Sequence, residues 1–397
     1  MSILIFLGVL FVLVLVHELG HFAVAKWTGM RVDEFGIGFP PKLFGIKRGE
    51  TLYSINLLPL GGFVKINGED GEDGEDARGA SARPSEVLSE RSEGENPEGV
   101  LPRYGDDGPS VNTTSNSFTS KSKWAQSAVL LAGITMNILF AWFLFAVAFG
   151  VGVESAVDEA DASSEARLTI TSVLHGSPAE KALIAPGSVI KSVTVGDEKL
   201  TDLKPSTFST FVASHGDAPL TVAYTYKNEL RLANIVPLTG IIADKADKHA
   251  IGVSLTQIDT VHRSVIESVT DSFMYTIAGL RDIALGIFKL IRDAVMIKAD
   301  LSQVAGPVGI VGLVGEASAY GVTALLMFTA FISLNLAIIN VLPFPALDGG
   351  RFVMVIIEAV KGSPITPKYA ATVNAVGFFV LIALMVVVTW NDIAKLM

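Results

Sequence analysis

His17, Glu18 and His21 lie together in an H-E-x-x-H pattern, HELGH, close to the start of the chain. On an α-helix the two histidines are one turn apart on the same face, so both imidazoles can bind one metal ion. The carboxylate of Glu18, beside the first histidine, can take a proton from a metal-bound water. The pattern therefore predicts a metal site with His17 and His21 as ligands and Glu18 as the general base.

The HELGH pattern lies inside an apolar segment, residues 3–25, that is long enough to cross a membrane as a helix. At about 1.5 Å per residue, His17 is about 20 Å along that helix, within the hydrocarbon layer of roughly 30 Å. Burying a carboxylate and two imidazoles there is costly unless they are paired or metal-bound. The position favours a functional cluster. A proton or ion relay is the alternative function, and a hydrogen-bonded cluster between helices is the structural alternative.

A catalytic zinc site needs a third protein ligand and leaves one position for water. The chain contains no cysteine, so this ligand must be histidine, aspartate or glutamate. The best candidate is Asp348, in the stretch NVLPFPALDGG at 340–350. Its two prolines interrupt a helix and its paired glycines free the backbone, so the stretch can line a cavity within the membrane.

Two asparagines, Asn335 and Asn340, lie in the apolar segment that precedes Asp348. Neither amide has a reason to face lipid, so we predict that both contact the substrate. Hydrogen bonding between helices is the alternative role.

The composition is that of a membrane protein: 50% of the 397 residues are hydrophobic, 18% are charged and the mean hydropathy is +0.49. This excludes an ordinary cytosolic enzyme. We predict four transmembrane helices, at 3–25, 127–152, 322–342 and 372–390. The glycine-rich stretch 304–315 is too short to span and is interpreted as a re-entrant or interfacial piece. A cleaved export signal is the alternative for the first segment, but no lysine or arginine precedes its apolar run.

Lysines and arginines cluster after the first span, before the second, and between the third and the fourth. An excess of these cations marks cytoplasmic loops. We therefore predict a multi-pass protein of the plasma or inner membrane, with both termini and the loop 153–321 extracytoplasmic. The metal site then lies toward the cytoplasmic side.

Residues 67–120 hold 13 acidic and 4 basic residues and account for −9 of the net charge of −10. With few aromatic or β-branched residues, this segment cannot bury enough apolar surface to offset its ordering entropy. We predict a disordered cytoplasmic insert. The rest of the chain is nearly neutral, which excludes a nucleic-acid-binding protein.

The segment 166–258 predicts a small β-rich extracytoplasmic domain, because short β-like runs alternate there with turn residues around one helical pattern at 178–184. The predicted strands are 168–174, 188–195, 220–226 and 232–236. After this domain, apolar residues recur at helical spacing among charged ones in 265–295. We predict an amphipathic helix on the outer membrane surface or on the domain, with a core helix as the alternative.

Residues 35–65, directly after the first span, predict strands joined by turns at 47–50 and 59–62. An edge strand beside a metal site can bind an extended peptide by strand addition. A cytoplasmic hairpin that serves packing alone is the alternative.

Taken together, these motifs make the chain resemble the site-2 protease family of intramembrane zinc metalloproteases, and within it the bacterial regulator of sigma-E protease group. The matching motifs occur in the family's order. They are HELGH at 17–21, GIGFP at 36–40 with LPLGGFVK at 58–65, GPVG at 306–309, and SLN at 333–335 continuing through Asn340 to LDGG at 347–350. The ordered set covers both ends of the chain and is highly specific.

The resemblance implies a Zn²⁺ ion held by three protein ligands, His17, His21 and Asp348. It implies that Glu18 activates water for attack on a peptide bond in a membrane-embedded substrate. It also implies a membrane re-entrant β-hairpin region at 35–65 and substrate contacts by Asn335 and Asn340.

The family also places PDZ domains outside the membrane, and 166–258 is similar to one through GSPA at 176–179 and APGSVI at 185–190. The chain departs from the family there, because Gly187-Ser188 stands where Gly-Asp is usual and only one PDZ-like region fits. We therefore expect a size filter that keeps intact ectodomains from the active site, rather than peptide binding.

The predicted fold is a multi-pass α-helical membrane protein with four transmembrane helices, a re-entrant β-hairpin region and one extracytoplasmic PDZ-like β-rich domain. Its segments are the first transmembrane helix with the zinc motif and re-entrant region at 1–66, the acidic insert at 67–120, the second transmembrane helix at 121–153, the PDZ-like domain at 166–258, the amphipathic helix with a glycine-rich connector at 259–321, and the last two transmembrane helices at 322–397.

The predicted function is zinc-dependent cleavage of the transmembrane segment of a single-pass membrane protein. By resemblance this substrate is an anti-sigma factor that an upstream site-1-type protease has already shortened, and signal-peptide remnants are the alternative substrate. The expected partners are that substrate and the lipid bilayer. A transporter or proton relay built on the same His/Glu cluster is the main alternative, and a membrane-tethered PDZ adaptor with a degenerate metal site ranks last.

Overall fold

The computed structural model describes residues 1–69, 116–227, 229–241, 247–296, 298 and 305–396. Within them the chain forms two compact units, unit 1 with Met1–Ala146 and Val269–Met397, and unit 2 with Val147–Ser268. The described helices are α1 Ser2–Trp27, α2 Lys123–Val151, α3 Pro178–Lys181, α4 Pro205–Ser214, α5 Val265–Val295, α6 Pro307–Ala319, α7 Val322–Val341, α8 Asp348–Lys361 and α9 Pro367–Leu396. The described strands are β1 Val32–Arg48, β2 Thr51–Ile66, β3 Val153–Val157, β4 Arg167–Val173, β5 Val189–Val195, β6 Glu198–Lys199, β7 Leu220–Tyr226, β8 Glu229–Ile235 and β9 Val253–Val261.

Four of the described helices, α1, α2, α7 and α9, are long and apolar enough to cross a membrane. They overlap the four predicted segments, which confirms the predicted spans. A helix suits the hydrocarbon layer because all its backbone hydrogen bonds are made within one segment. The chain is therefore an integral membrane protein.

The helices α1 and α2 approach closely because glycines lie at their contact. A Cβ atom at Gly20 of α1 would lie 2.5 Å from the carbonyl oxygen of Ala132, and one at Gly133 of α2 would lie 2.4 Å from Nε2 of His21. Real Cβ atoms essentially never come within 3.0 Å of another heavy atom. Any larger residue at either position would push the two helices apart.

Two clusters of buried apolar residues hold unit 1 together. One joins α1, β1, α2 and α8 and includes Ala25, Val32, Val129 and Val355. The other joins α2 to α7 and includes Phe145, Ala330 and Leu334. The metal-site residues of α1 are therefore carried on a helix that is packed against the other elements of this unit.

The strands β1 and β2 form a small sheet directly after α1. Residues 34–37 of β1 pair with residues 62–65 on one side and with residues 52–55 on the other. The predicted turn at 47–50 is present, with Gly49 and Glu50 between the strands. The second predicted turn, at 59–62, lies inside β2, and the chain reverses direction there: residues 52–55 run parallel to residues 34–37, whereas residues 62–65 run antiparallel to them. Gly61, in this reversal, has a φ of +131°.

Unit 2 is built on a seven-stranded sheet with the strand order β3-β9-β4-β5-β7-β8, and β6 pairs with β5. Buried residues of the strands, among them Ile170, Val193 and Val222, pack against Phe208 and Val212 of α4. The four predicted strands and the predicted short helix are present. The sheet is larger than the predicted segment 166–258, since β3 and the end of β9 lie outside it.

The helix α5 spans the 31 residues of the predicted amphipathic helix, Val265–Val295. Large apolar side chains such as Phe273, Leu285 and Phe288 are exposed, whereas the small polar residues Ser272 and Thr276 are buried. A core helix would show the reverse, so this alternative is wrong. Placement at the outer membrane surface stays a prediction. The helix α6, with 13 residues, is about 20 Å long and too short to span.

Most of the predicted acidic insert, residues 70–115, lies outside the described residues. The described residues on its two sides are joined by backbone hydrogen bonds. The amide of Arg31 donates to the carbonyl of Asn116, and that of Phe118 donates to Asn67. The insert therefore leaves and rejoins unit 1 at neighbouring points.

Candidate metal centre

The helix α1 brings His17 and His21 to one face, as the H-E-x-x-H spacing predicts, and both side chains are buried. Their Nε2 atoms are 3.1 Å apart. The carboxylate Oδ2 of Asp348 lies 3.0 Å from Nε2 of His17 and 3.3 Å from Nε2 of His21. Three potential ligand atoms from opposite ends of the chain thus converge on one point.

The stretch between α7 and α8 places Asp348 beside these histidines. The two prolines lie in its non-helical part, and α8 begins at Asp348 itself. A Cβ at Gly349 would lie 2.3 Å from the carbonyl oxygen of Leu342, and one at Gly350 would lie 2.1 Å from that of Phe344. Only glycines let α8 start so close to the preceding backbone, and this contact positions the aspartate.

The three ligand atoms fit a tetrahedral zinc ion. Zinc binds imidazole nitrogen and carboxylate oxygen at about 2.0–2.2 Å, which separates tetrahedral ligands by about 3.3–3.6 Å from one another. The observed separations, 3.0 to 3.3 Å, are close to this spacing. Apart from the two imidazoles, Oδ2 of Asp348 is buried without a hydrogen-bond partner among the described residues. Two imidazoles and one carboxylate leave the fourth position for water.

Glu18 borders a cavity of about 240 Å³ that is also lined by His17 and Asp348. Its side chain is half-buried, unlike those of the two histidines. Glu18 thus shares the wall of one cavity with two of the three potential ligands. Its role as general base stays a prediction.

The two asparagines of α7 occupy different environments. Asn340 is buried, lines the same cavity, and has its Nδ2 atom 3.4 Å from Nε2 of His17. Asn335 donates a hydrogen bond of 2.9 Å to the carbonyl of Phe331 within its own helix, and it does not line the cavity. The structure therefore brings Asn340 to the ligands and leaves Asn335 away from them.

The strand β2 passes close to the HELGH helix. A Cβ at Gly62 would lie 3.9 Å from Cγ of Glu18, and one at Gly61 would lie 2.8 Å from Cγ1 of Val14. Gly61 lets the backbone of the sheet approach α1 at Val14, and Gly62 lies at ordinary contact distance from Glu18, the residue next to the first ligand. Extended backbone is thus available beside the cavity.

The helix α2 also contributes to the site, which the motifs of the sequence do not predict. Nδ1 of His21 lies 2.8 Å from the carbonyl oxygen of Val129, and Nδ2 of Asn137 lies 3.2 Å from Nδ1 of His17. The available signal was an asparagine in the middle of an apolar span, where an amide needs a polar partner. Val129 and Gly133 carry no such signal. The residue type does not show which group a backbone carbonyl contacts or which side chains pack against a glycine.

Known proteins similar to this chain match it over nearly its whole length. A model of peptidase family M50 matches residues 5–384. A putative zinc metalloprotease of Clostridium perfringens is 31% identical over 382 residues, which cover 96% of this chain and 95% of the relative. The regulator of sigma-W protease RasP of Bacillus subtilis is 29% identical over 441 residues, which cover 100% of this chain and 99% of the relative. The zinc metalloprotease RasP of Oceanobacillus iheyensis is 30% identical, with 97% of each chain covered.

Among solved structures, the PDZ domain of an SdrC-like protein from Listeria monocytogenes matches 24% of this chain and 92% of its own length, with 16% identity and a TM-score of 0.20. Since this score is low, the PDZ-like interpretation of 166–258 continues to depend on the sequence motifs.

Proposed function

The chain belongs to peptidase family M50, the site-2 protease family of zinc metalloproteases, and from this premise we propose that it cleaves a peptide bond inside the transmembrane segment of a single-pass membrane protein. It is a metalloprotease whose metal is zinc. One observation carries the proposal: two histidines and an aspartate from opposite ends of the chain lie 3.0 to 3.3 Å apart, beside apolar helices that can cross a membrane.

We assign the zinc to His17, His21 and Asp348. When bound, the ion supplies Lewis acidity that makes water a nucleophile near neutral pH. Glu18, in the wall of the same cavity, takes the proton from the attacking water and passes it to the departing amine. Asn340 donates its amide N–H to the substrate carbonyl beside the ligands.

A transmembrane helix shields its own amides, so the substrate must unwind before water can reach a peptide bond. The sheet β1–β2 supports this step, because the backbone of β2 passes next to Glu18 at Gly61 and Gly62. An unwound substrate segment gains backbone hydrogen bonds by pairing with this sheet. We propose that residues 35–65, which contain this sheet, form the membrane re-entrant region beside the active site.

The substrate class is an anti-sigma factor that another protease has already shortened outside the membrane. The name of the Bacillus subtilis relative, regulator of sigma-W protease, supports this class. The clusters of lysine and arginine support an orientation with both termini extracytoplasmic and the active site toward the cytoplasm. In this orientation unit 2 lies outside the membrane and acts as a size filter.

The proposal predicts metal-dependent cleavage in a membrane. In liposomes that contain the full chain and a truncated single-span substrate, we expect a cut product from the wild type. Glu18→Gln should abolish the product and retain zinc, because the base is removed while the ligands remain. A zinc chelator should also abolish it. A product that persists with Glu18→Gln, or in chelator, would contradict the mechanism.

A further inference from the structure

The second nitrogen of each ligand imidazole faces α2. At His21, Nδ1 lies 2.8 Å from the backbone carbonyl oxygen of Val129. A carbonyl oxygen can only accept a hydrogen bond, so Nδ1 of His21 carries the ring proton. Its Nε2 atom is then a free lone pair that points to the metal position.

Asn137 holds the corresponding place at His17. Its side chain is fully buried, and Nδ2 lies 3.2 Å from Nδ1 of His17. In this orientation the amide donates to Nδ1, so the ring proton must be on Nε2, the atom that faces Asp348 at 3.0 Å. A protonated Nε2 cannot bind zinc. Meanwhile Oδ1 of Asn137 is buried without a hydrogen-bond partner among the described residues.

Rotation of the amide by half a turn exchanges Nδ2 and Oδ1, which are similar in size. Oδ1 then accepts a hydrogen bond from Nδ1–H of His17, and Nε2 is free for zinc. Either Nδ2 or Oδ1 of Asn137 faces Nδ1 of His17. Zinc binding requires the proton of His17 on Nδ1, so Oδ1 must be the atom that faces it. Carboxylates, carbonyls and amides that accept from a ligand histidine in this way raise its affinity for the metal.

We propose that Asn137 is a positioning residue that holds His17 in its zinc-binding tautomer by accepting a hydrogen bond at Oδ1. The inference rests on the proposed function, because only a zinc-binding His17 needs this tautomer. The backbone supports the role: Val129, Gly133 and Asn137 recur every four residues along one face of α2. Gly133 leaves room for both imidazoles, and Oγ of Ser333 donates a 2.8 Å hydrogen bond to the carbonyl of Asn137, which ties this turn of α2 to α7.

Zinc affinity of the full chain in detergent, measured by competition with a chelator, tests this role without any substrate. Asn137→Asp keeps an acceptor and removes the donor, whereas Asn137→Leu removes both at similar size. We expect Asn137→Asp to bind zinc within a few-fold of the wild type, and Asn137→Leu to bind it about 10–100-fold more weakly. Cobalt substituted for zinc should show shifted visible absorption bands in Asn137→Leu.

The matched control is Thr135→Val on the same helix. Thr135 is exposed and its hydroxyl donates only to the carbonyl of Leu131 in the preceding turn, so zinc affinity should not change. Wild-type affinity in Asn137→Leu would overturn the proposal. So would a folded Asn137→Asp that fails to hold zinc, because it would show that Asn137 donates. If Asn137→Asp does not fold, the zinc affinity of Asn137→Leu decides by itself. A wild type that binds zinc but cleaves no substrate would count against the proposed function alone.

Discussion

At the scale of the residue, Asp348 carries the negative charge among the three proposed ligands. Its Oδ2 atom is buried, and both ligand histidines lie within 3.3 Å of it. A buried carboxylate is stable only beside a cation or several hydrogen-bond donors. The metal and the aspartate therefore depend on each other.

We predict that Asp348→Ala lowers zinc affinity by more than the roughly 10–100-fold loss typical of a residue behind a ligand. Zinc bound per chain after dialysis, measured by mass spectrometry, checks this. Asp282→Ala is the control, because Asp282 is an exposed acidic residue of α5 whose carboxylate pairs with Arg281. Unchanged zinc content in Asp348→Ala would show that the ligand assignment is wrong.

At the scale of the element, the contact between α1 and α2 sets the distance between the histidines and their support. Gly133→Ala would place a methyl group 2.4 Å from Nε2 of His21 and 2.7 Å from Cε1 of His17. We expect zinc binding to be lost and stability to fall by about 1–3 kcal/mol, the usual cost of overpacking. Thermal unfolding and zinc content measure the two effects.

The control for this substitution is Gly150→Ala, in the same helix. A methyl group there would meet Oγ of Ser268 at 3.7 Å, an ordinary contact, and alanine favours a helix more than glycine does. Gly150→Ala should therefore leave zinc binding unchanged. Equal effects of the two substitutions would argue against a role for the close approach at His21.

A second element, α4 of unit 2, carries a pH-dependent contact at His215. Its Nδ1 donates a hydrogen bond of 2.8 Å to the carbonyl of Phe211, and its Nε2 donates one of 3.1 Å to Oε2 of Glu198. The backbone hydrogen bond to Phe211, followed by that to Glu198, raises the pKa of the His215 imidazole above its usual value. Both nitrogens must be protonated to make both bonds, so folding favours the charged form.

This contribution to stability is present below the unfolded pKa of about 6.5 and is lost as the pH rises through the raised folded value. We expect hydrogen-exchange protection factors of α4 to fall as the pH of the full chain rises through this window. His215→Gln should remove the pH dependence and leave protection at the high-pH level. Identical profiles for both proteins would rule out this linkage.

At the scale of the whole molecule, the proposed size filter predicts that removal of unit 2 widens the choice of substrate. Val153 of β3 pairs with Val261 of β9, so the chain enters and leaves the sheet of unit 2 at neighbouring points. A short glycine-serine linker in place of 154–260 can therefore join the two sides. The shortened chain should cut a single-span protein with an intact ectodomain, which the full chain leaves uncut.

Cleavage of the truncated substrate serves as the control for this deletion, and it should stay within a few-fold of the wild type. Gel analysis of both substrates in liposomes measures the two rates. If the shortened chain cuts the truncated substrate and still leaves the intact one uncut, unit 2 is not the filter.

Local patterns were sufficient for much of the fold. The four spans, the amphipathic helix Val265–Val295 and four strands of unit 2 follow from apolar runs and periodicity, which record how each segment meets lipid or a core. The predicted ligands His17, His21 and Asp348 lie together, since ionisable groups in apolar segments need one another. The ten-residue helix α4 was missed because it is short and rich in serine and threonine, which favour helices weakly.

The sequence by itself determined the chemistry available to this protein: the HELGH face, the aspartate after a broken helix, and the apolar segments that carry them. Tertiary structure alone decided that Asn340 faces the ligands and Asn335 does not, that residues 52–55 and 62–65 of β2 pair with opposite sides of β1, and that α2 supports both imidazoles. The reason is physical. Periodicity reports which face of an element is apolar. The group that contacts a backbone carbonyl, a side-chain amide or a glycine comes from chain segments far away in sequence.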